Sequence, residues 1–251
     1  MLYVLDGNAW FGVAAEIARI AELEHGPMIV IGVGYPGDPT LTSTRRMSDL
    51  TPVPAAPEDR TPDFVSRQDA FLRFLRTTLR NDIARRYPIN GKRQAIFGHS
   101  LAGLFVLHVL FTQQNSFNAF IAASPSIWWN KPAVYQEMDA WLTRRVHGAD
   151  PRILLEVGSL EQSAPLSIKA SAAELAASKR PPFAGKTAAE IEMMIAAEWK
   201  RARMVENVRE LHTKLVGAGA TATLVVFDGE HHASVVPAAL SRAMTVALAI
   251  K

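Results

Sequence analysis

The chain has 251 residues, 49% of them hydrophobic and 20% charged, with a formal net charge of +3. This is enough apolar material for one sizeable core, and it excludes global disorder. There is no Lys/Arg block of the length nucleic-acid binding needs, no apolar run that spans a membrane, and no cysteine for disulfides, thiol catalysis or a Cys-type zinc site.

Leu2–Leu5 reads as a short apolar strand closed by the turn Asp6-Gly7-Asn8. Ala9–Leu23 carries apolar residues at helical spacing and stops near Gly26-Pro27. Met28–Val33 is a continuous β-branched run without polar alternation, the pattern of a parallel-sheet strand covered on both faces. Tyr35–Asp63, rich in Pro, Thr, Asp and Arg, has no sustained period and reads as a long functional or mobile loop. Phe64–Tyr87 is helical, with Phe71, Phe74, Leu75, Leu79 and Ile83 as its apolar stripe and Pro88 as its stop.

Ala95–Phe97 is a strand that runs into Gly98-His99-Ser100-Leu101-Ala102-Gly103, and Leu101–Phe111 continues at helical spacing. Ala119–Ala123 is a strand leading into Ser124-Pro125-Ser126-Ile127-Trp128-Trp129-Asn130, and Pro132–Val146 is helical. Ile153–Val157 is a strand ending at Gly158. Glu161–Lys186 is polar and Ala/Ser/Pro-rich, a lid with broken helix. Thr187–Val216 reads as one long helical stretch, Thr221–Phe227 as the last strand and Val235–Ile250 as the terminal helix. Strands and helices alternate throughout. The expected fold is α/β: a single domain over residues 1–251 with a mostly parallel sheet and helices on both faces.

In such sheets the chemistry gathers beyond the C-terminal strand ends. Strand, sharp turn with a central Ser, then helix is the layout of a nucleophile elbow, and it presents the Ser100 hydroxyl. The usual G-x-S-x-G reads G-H-S-L-A here, with Ala102 at the last small position and Gly103 just after it. A serine hydroxyl needs an adjacent base, and the loop Gly229-Glu230-His231-His232-Ala233-Ser234 after the last strand supplies two imidazoles. The acid that orients the base belongs after the strand between elbow and His. Glu161, three residues past Gly158, fits that place better than Glu156 inside the strand. The oxyanion donors are then the backbone N–H of Leu101 and that of Asn8, where Gly7 lets the chain approach. No metal or organic cofactor is called for.

With these pieces in place, the sequence resembles the esterase D-like branch of the α/β-hydrolase superfamily, and its siderophore-esterase-like members most. The matching stretches are Leu2–Phe11, Arg45–Pro52, Gly98–Phe105, Ser124–Asn130, Glu156–Gln162 and Gly229–Val236, in family order along nearly the whole chain. The resemblance places the catalytic His at His232 and the acid at Glu161, although some siderophore esterases work with a Ser–His dyad. It implies a serine carboxylic-ester hydrolase acting through an acyl-enzyme on siderophore-like or aryl esters. Two readings compete with it: a catalytically impaired hydrolase-like protein that binds a ferric siderophore, and a thioester hydrolase of the S-formylglutathione hydrolase type. Trp128 and Trp129 cannot both point inward, so one of them is expected at the pocket. Arg45 and Arg46 are either a solvated pair or the site of an anionic catecholate or carboxylate.

Family members carry two or more strands before the one that matches Leu2–Leu5. Met28–Val33 is therefore expected at a sheet edge, where a later recorded start, a covering loop or a homodimer would account for its apolar character. With no leader visible before Leu2, the expected compartment is the cytoplasm.

Overall fold

The computed structural model describes residues 1–37, 41, 43–57, 63–145, 151–165, 167–178 and 183–249. Parts of the predicted 35–63 loop and 161–186 lid, and the predicted helix ends at Val146 and Ile250, lie outside them.

Strands β1 (Leu2–Leu5), β2 (Val30–Val33), β3 (Ala95–His99), β4 (Ala119–Ala123), β5 (Arg152–Gly158) and β6 (Ala222–Phe227) form one sheet in the order β2-β1-β3-β4-β5-β6. Every pairing is parallel. β1, β3 and β4 are buried along their whole length, which is why their sequences show no polar alternation. β2 lies at an edge and is half-buried.

The two faces of the sheet build two apolar layers. Tyr3, Leu5, Ile96, Phe120 and Leu155 meet α5 (Leu101–Gln113), α6 (Lys131–Arg144) and α9 (Met204–Gly217). Leu2, Val4, Phe97, Ile121 and Leu154 meet α1 (Gly7–His25) and α10 (Val235–Leu248). Helix α5 is apolar nearly all round and has no solvated face to speak of, as its position under the sheet centre demands. The strand order turns back at β1, so a crevice opens between the C-terminal ends of β1 and β3.

Several helices depart from the sequence expectation. The 35–63 stretch contains α2 (Thr44–Leu50), capped by the Ser43 hydroxyl, which accepts from the Arg46 N–H. The 64–87 helix is α3 (Gln68–Phe74) and α4 (Arg80–Arg86) joined through a π-turn at Leu75–Leu79. The 161–186 stretch holds α7 (Ile168–Ser178). The 187–216 stretch is two helices, α8 (Ala188–Ala202) and α9, because Arg203 adopts a left-handed backbone (φ 43°) and ends the first.

Arg46 corrects a sequence expectation. Its guanidinium is not offered to a ligand: it is 6% exposed and forks onto the buried Asp6 carboxylate, with Nε–Oδ1 and Nη2–Oδ2 both at 2.7 Å. A third bond goes to the Leu41 carbonyl at 3.0 Å. The planar fork matches the carboxylate, and the pair straps α2 to the turn after β1.

Glu156 is also misplaced for catalysis. It faces the α10 side of the sheet in the same row as Ala123 and His99, is fully buried, and neither oxygen has a hydrogen-bond partner among the described residues. Burial pushes its carboxyl well above the usual range, against a smaller opposing pull from Arg242 on α10.

Two outcomes follow. Arg46→Met strands the Asp6 charge and should cost about 3–5 kcal/mol, read as a lower denaturant midpoint at unchanged slope. Because the folded Glu156 holds its proton above the ordinary value of 4.5, the wild-type chain loses stability as pH rises from there. Glu156→Gln should therefore melt with the wild type near pH 4 and progressively above it towards pH 8. Parallel melting curves across that range would refute the assignment.

Candidate active site

Ser100 ends β3 with φ 60° and ψ −121°, a conformation that costs an L-residue energy and turns its side chain out of the sheet. The turn is over-determined. The Ser100 N–H donates to the Ala123 carbonyl at 3.0 Å, and its own carbonyl accepts from Leu104 at 3.0 Å and Ser126 at 3.1 Å. A Cβ on Gly98 would lie 2.2 Å from the Ala102 carbonyl oxygen, and one on Gly103 would lie 2.9 Å from that of Ala123. The elbow therefore needs glycine at 98 and 103, while the Ala102 methyl fits in the core, fully buried.

The Ser100 Oγ lies 3.0 Å from Nε2 of His232, and His232 Nδ1 lies 2.6 Å from Oε2 of Glu161. Glu161 is fully buried, and its other oxygen accepts from the Ser124 hydroxyl at 2.6 Å and the Gly158 N–H at 2.7 Å. Gly158 lets the last loop close on the end of β5, since a Cβ there would sit 2.2 Å from the Glu230 carbonyl oxygen. Leu160 N–H and Ser159 N–H fasten the same loops together, onto Glu230 and Phe227 at 3.1 and 2.8 Å. Of the two adjacent histidines, His232 reaches the serine; His231 keeps its Nδ1 buried without a hydrogen-bond partner among the described residues.

Asn8 and Leu101 each lie in the first turn of a helix, α1 and α5, where backbone N–H groups have no intrahelical acceptor. The preceding turn is again strained, with Asp6 at φ 55°. Asn8 clamps it from the other side: its Oδ1 accepts from the Tyr35 N–H at 2.6 Å and its Nδ2 donates to the Tyr35 carbonyl at 3.0 Å.

The remaining sequence candidates separate. Trp129 is 8% exposed, and its indole N–H donates to the Pro52 carbonyl at 2.8 Å. Trp128 is more open, with the Arg201 guanidinium 5.1 Å above its ring. Arg45 is largely exposed beside Asp49 and lines a cavity of about 440 Å³ together with Tyr35, Arg67 and Phe71.

Sequence reasoning missed the two serines of the Ser-Pro-Ser segment. Ser124 (φ 43°) holds Glu161, and the Ser126 hydroxyl lies 3.3 Å from that of Ser100. It also missed Trp199 of α8, whose ring meets that of His232 edge-on with centroids 5.6 Å apart. The motif marked the serines; nothing marked Trp199. Hydroxyl, imidazole and carboxylate in series are the elements of acyl transfer.

Comparison with known proteins agrees. The family described as "Putative esterase" matches residues 1–245. The siderophore triacetylfusarinine C esterase of Aspergillus fumigatus is 35% identical over 98% of this chain and 80% of the relative. The ferri-bacillibactin esterase BesA of Bacillus subtilis is 32% identical over 99% of this chain and 78% of the relative. Among solved structures, the siderophore hydrolase EstA from Aspergillus nidulans superposes with a TM-score of 0.78 at 31% identity, covering 97% of this chain and 80% of that one. The chain thus belongs to this esterase family and is a carboxylic ester hydrolase of the α/β-hydrolase fold.

Proposed function

We propose that this hydrolase works through a serine acyl-enzyme and that its substrates are siderophore-type esters. The observation that carries the mechanism is the unbroken relay from Ser100 Oγ to His232 (3.0 Å) to Glu161 (2.6 Å). With its Nδ1–H hydrogen-bonded to Glu161, His232 has Nε2 free to take the Ser100 proton as Oγ attacks the ester carbonyl. The carbonyl oxygen becomes an oxyanion beside the N–H groups of Asn8 and Leu101. Nε2 then returns the proton to the departing alkoxide, leaving an acyl-Ser100 ester. Water then gives a proton to Nε2 as its oxygen attacks the acyl carbon, and Nε2 returns that proton to Ser100 Oγ as the acyl bond breaks and the carboxylic acid leaves.

The substrate class rests on the relatives, which are named for triacetylfusarinine C and ferri-bacillibactin. Trp128 and Arg45 are our candidates for contact with the substrate body, and the 161–186 segment is our candidate lid. The intact relay favours the hydrolase over a binding protein that has lost its chemistry. No helix among the described residues is long and apolar enough to cross a membrane, and we place the reaction in the cytoplasm. Pairing of two copies through the β2 edge remains part of this reading, tested by light scattering of the eluted protein.

Ser100→Ala should lower p-nitrophenyl acetate turnover by on the order of 10⁴-fold or more and abolish labelling by a fluorophosphonate probe; unchanged turnover would sink the assignment. Glu161→Gln offers an amide hydrogen where His232 needs an acceptor, and should lower kcat by about 10³–10⁴-fold with KM little changed. A loss under tenfold would mean that a Ser–His dyad suffices. Hydrolysis of triacetylfusarinine C, bacillibactin and enterobactin, followed by mass, tests the substrate class. Turnover of simple aryl esters with none of these three would overturn it.

A further inference from the structure

The residue before the nucleophile is an imidazole outside the relay. His99 is 6% exposed, and its Nε2 has no hydrogen-bond partner among the described residues. Its ring lies against that of His232, with centroids 4.5 Å apart and an interplanar angle of 43°. The Trp10 ring of α1 meets His99 edge-on at 5.8 Å, and Trp199 meets His232 at 5.6 Å. Four rings thus run in sequence from the helix behind the oxyanion turn to the roof over His232.

A leucine or methionine would fill this buried position without orphaning a polar atom. Beyond its hydrogen bond to the His232 backbone, what the ring adds is a π face, which attracts a cation a few ångströms away. The relay generates such a cation: His232 becomes an imidazolium each time it takes a proton from Ser100 or from water. We propose that His99 is a positioning residue for the hydrolysis, its ring face being the surface on which the His232 imidazolium is set and held. The proposal rests on the Ser100–His232 reading above.

For the face to attract, His99 must itself stay neutral. Burial, and next the neighbouring His232, hold it well below its ordinary value of 6.5, against a smaller opposing pull from the His232 backbone. The other ionisable groups around it leave that state in place. On the α2 side the Arg46 charge is matched by Asp6, and across Ala123 in the same row burial pushes the Glu156 carboxyl towards its neutral form. On the last loop His231 adjoins His232, and beyond Glu156 stands Arg242 of α10.

Proton transfer from Ser100 forms the imidazolium on the reaction path, so the effect falls on kcat and spares KM. Both variants lose the hydrogen bond to the His232 backbone; His99→Leu keeps the bulk and also removes the π face, while His99→Phe keeps ring and face. With p-nitrophenyl acetate, His99→Leu should lower kcat about tenfold with KM within about twofold, while His99→Phe stays within about threefold of wild type. His99→Met is the ring-free substitute should the leucine variant fail to fold. Equal losses in the ring-free and Phe variants, wild-type kcat in the ring-free variant, or a KM that rises in step would overturn the proposal. An active wild type with equal Leu and Phe losses removes this inference alone. A wild type inert to both ester and fluorophosphonate removes the hydrolase reading and this one with it.

Discussion

The side chain of Glu161 is fully buried, and donors from three separate stretches of chain converge on it: the Ser124 hydroxyl after β4, the Gly158 N–H at the end of β5, and His232 in the last loop. A carboxylate taken out of water is tolerated only when its oxygens are met by well-aimed donors. Each donor is placed by a different strand, so the three strand ends have to be in register for any one of them to be satisfied. The parallel ladder from β3 to β6 provides that register. Gly158 then lets the last loop press against β5 closely enough for His232 to reach both Glu161 and Ser100.

The turn after β1 hangs from a buried charge pair. Asp6 and Arg46 fix the turn that presents Asn8, and Asn8 in turn pins the start of the segment after β2. Removing either charge exposes the turn to an unmatched partner. The Asp6 turn and the Ser100 elbow close β1 and β3, the two strands on either side of the switch point, where helices leave the sheet on opposite faces and a crevice is unavoidable.

The alternation of apolar strands and helices carried the fold in the sequence, because burial of β1, β3 and β4 on both faces leaves uninterrupted apolar runs. The elbow was legible because glycines at 98 and 103 are required by backbone approach, whereas position 102 accepts a methyl. Short-range pattern failed where the partner is distant in sequence. Arg46 and Asp6 are 40 residues apart, and an Arg pair in a polar stretch carries no mark of a buried carboxylate elsewhere. The roles of Ser124 and Ser126 likewise depend on what β5 and the elbow bring to them. The break between α8 and α9 falls on an arginine in a left-handed backbone, a conformation that no local signal such as glycine announces.

Asp6, Ser100 and Ser124 close β1, β3 and β4, and all three non-glycine residues have positive φ. Such backbones cost of order 1–3 kcal/mol each, and they persist because the packed sheet leaves no relaxed alternative. The protein's durability and its reactivity therefore compete at the same residues: a chain that relaxed there would gain cohesion and lose its aim. Improvement by selection has room in the helices and along the β2 edge, and little at the mouth of the crevice, where the scaffold spends its conformational energy on geometry.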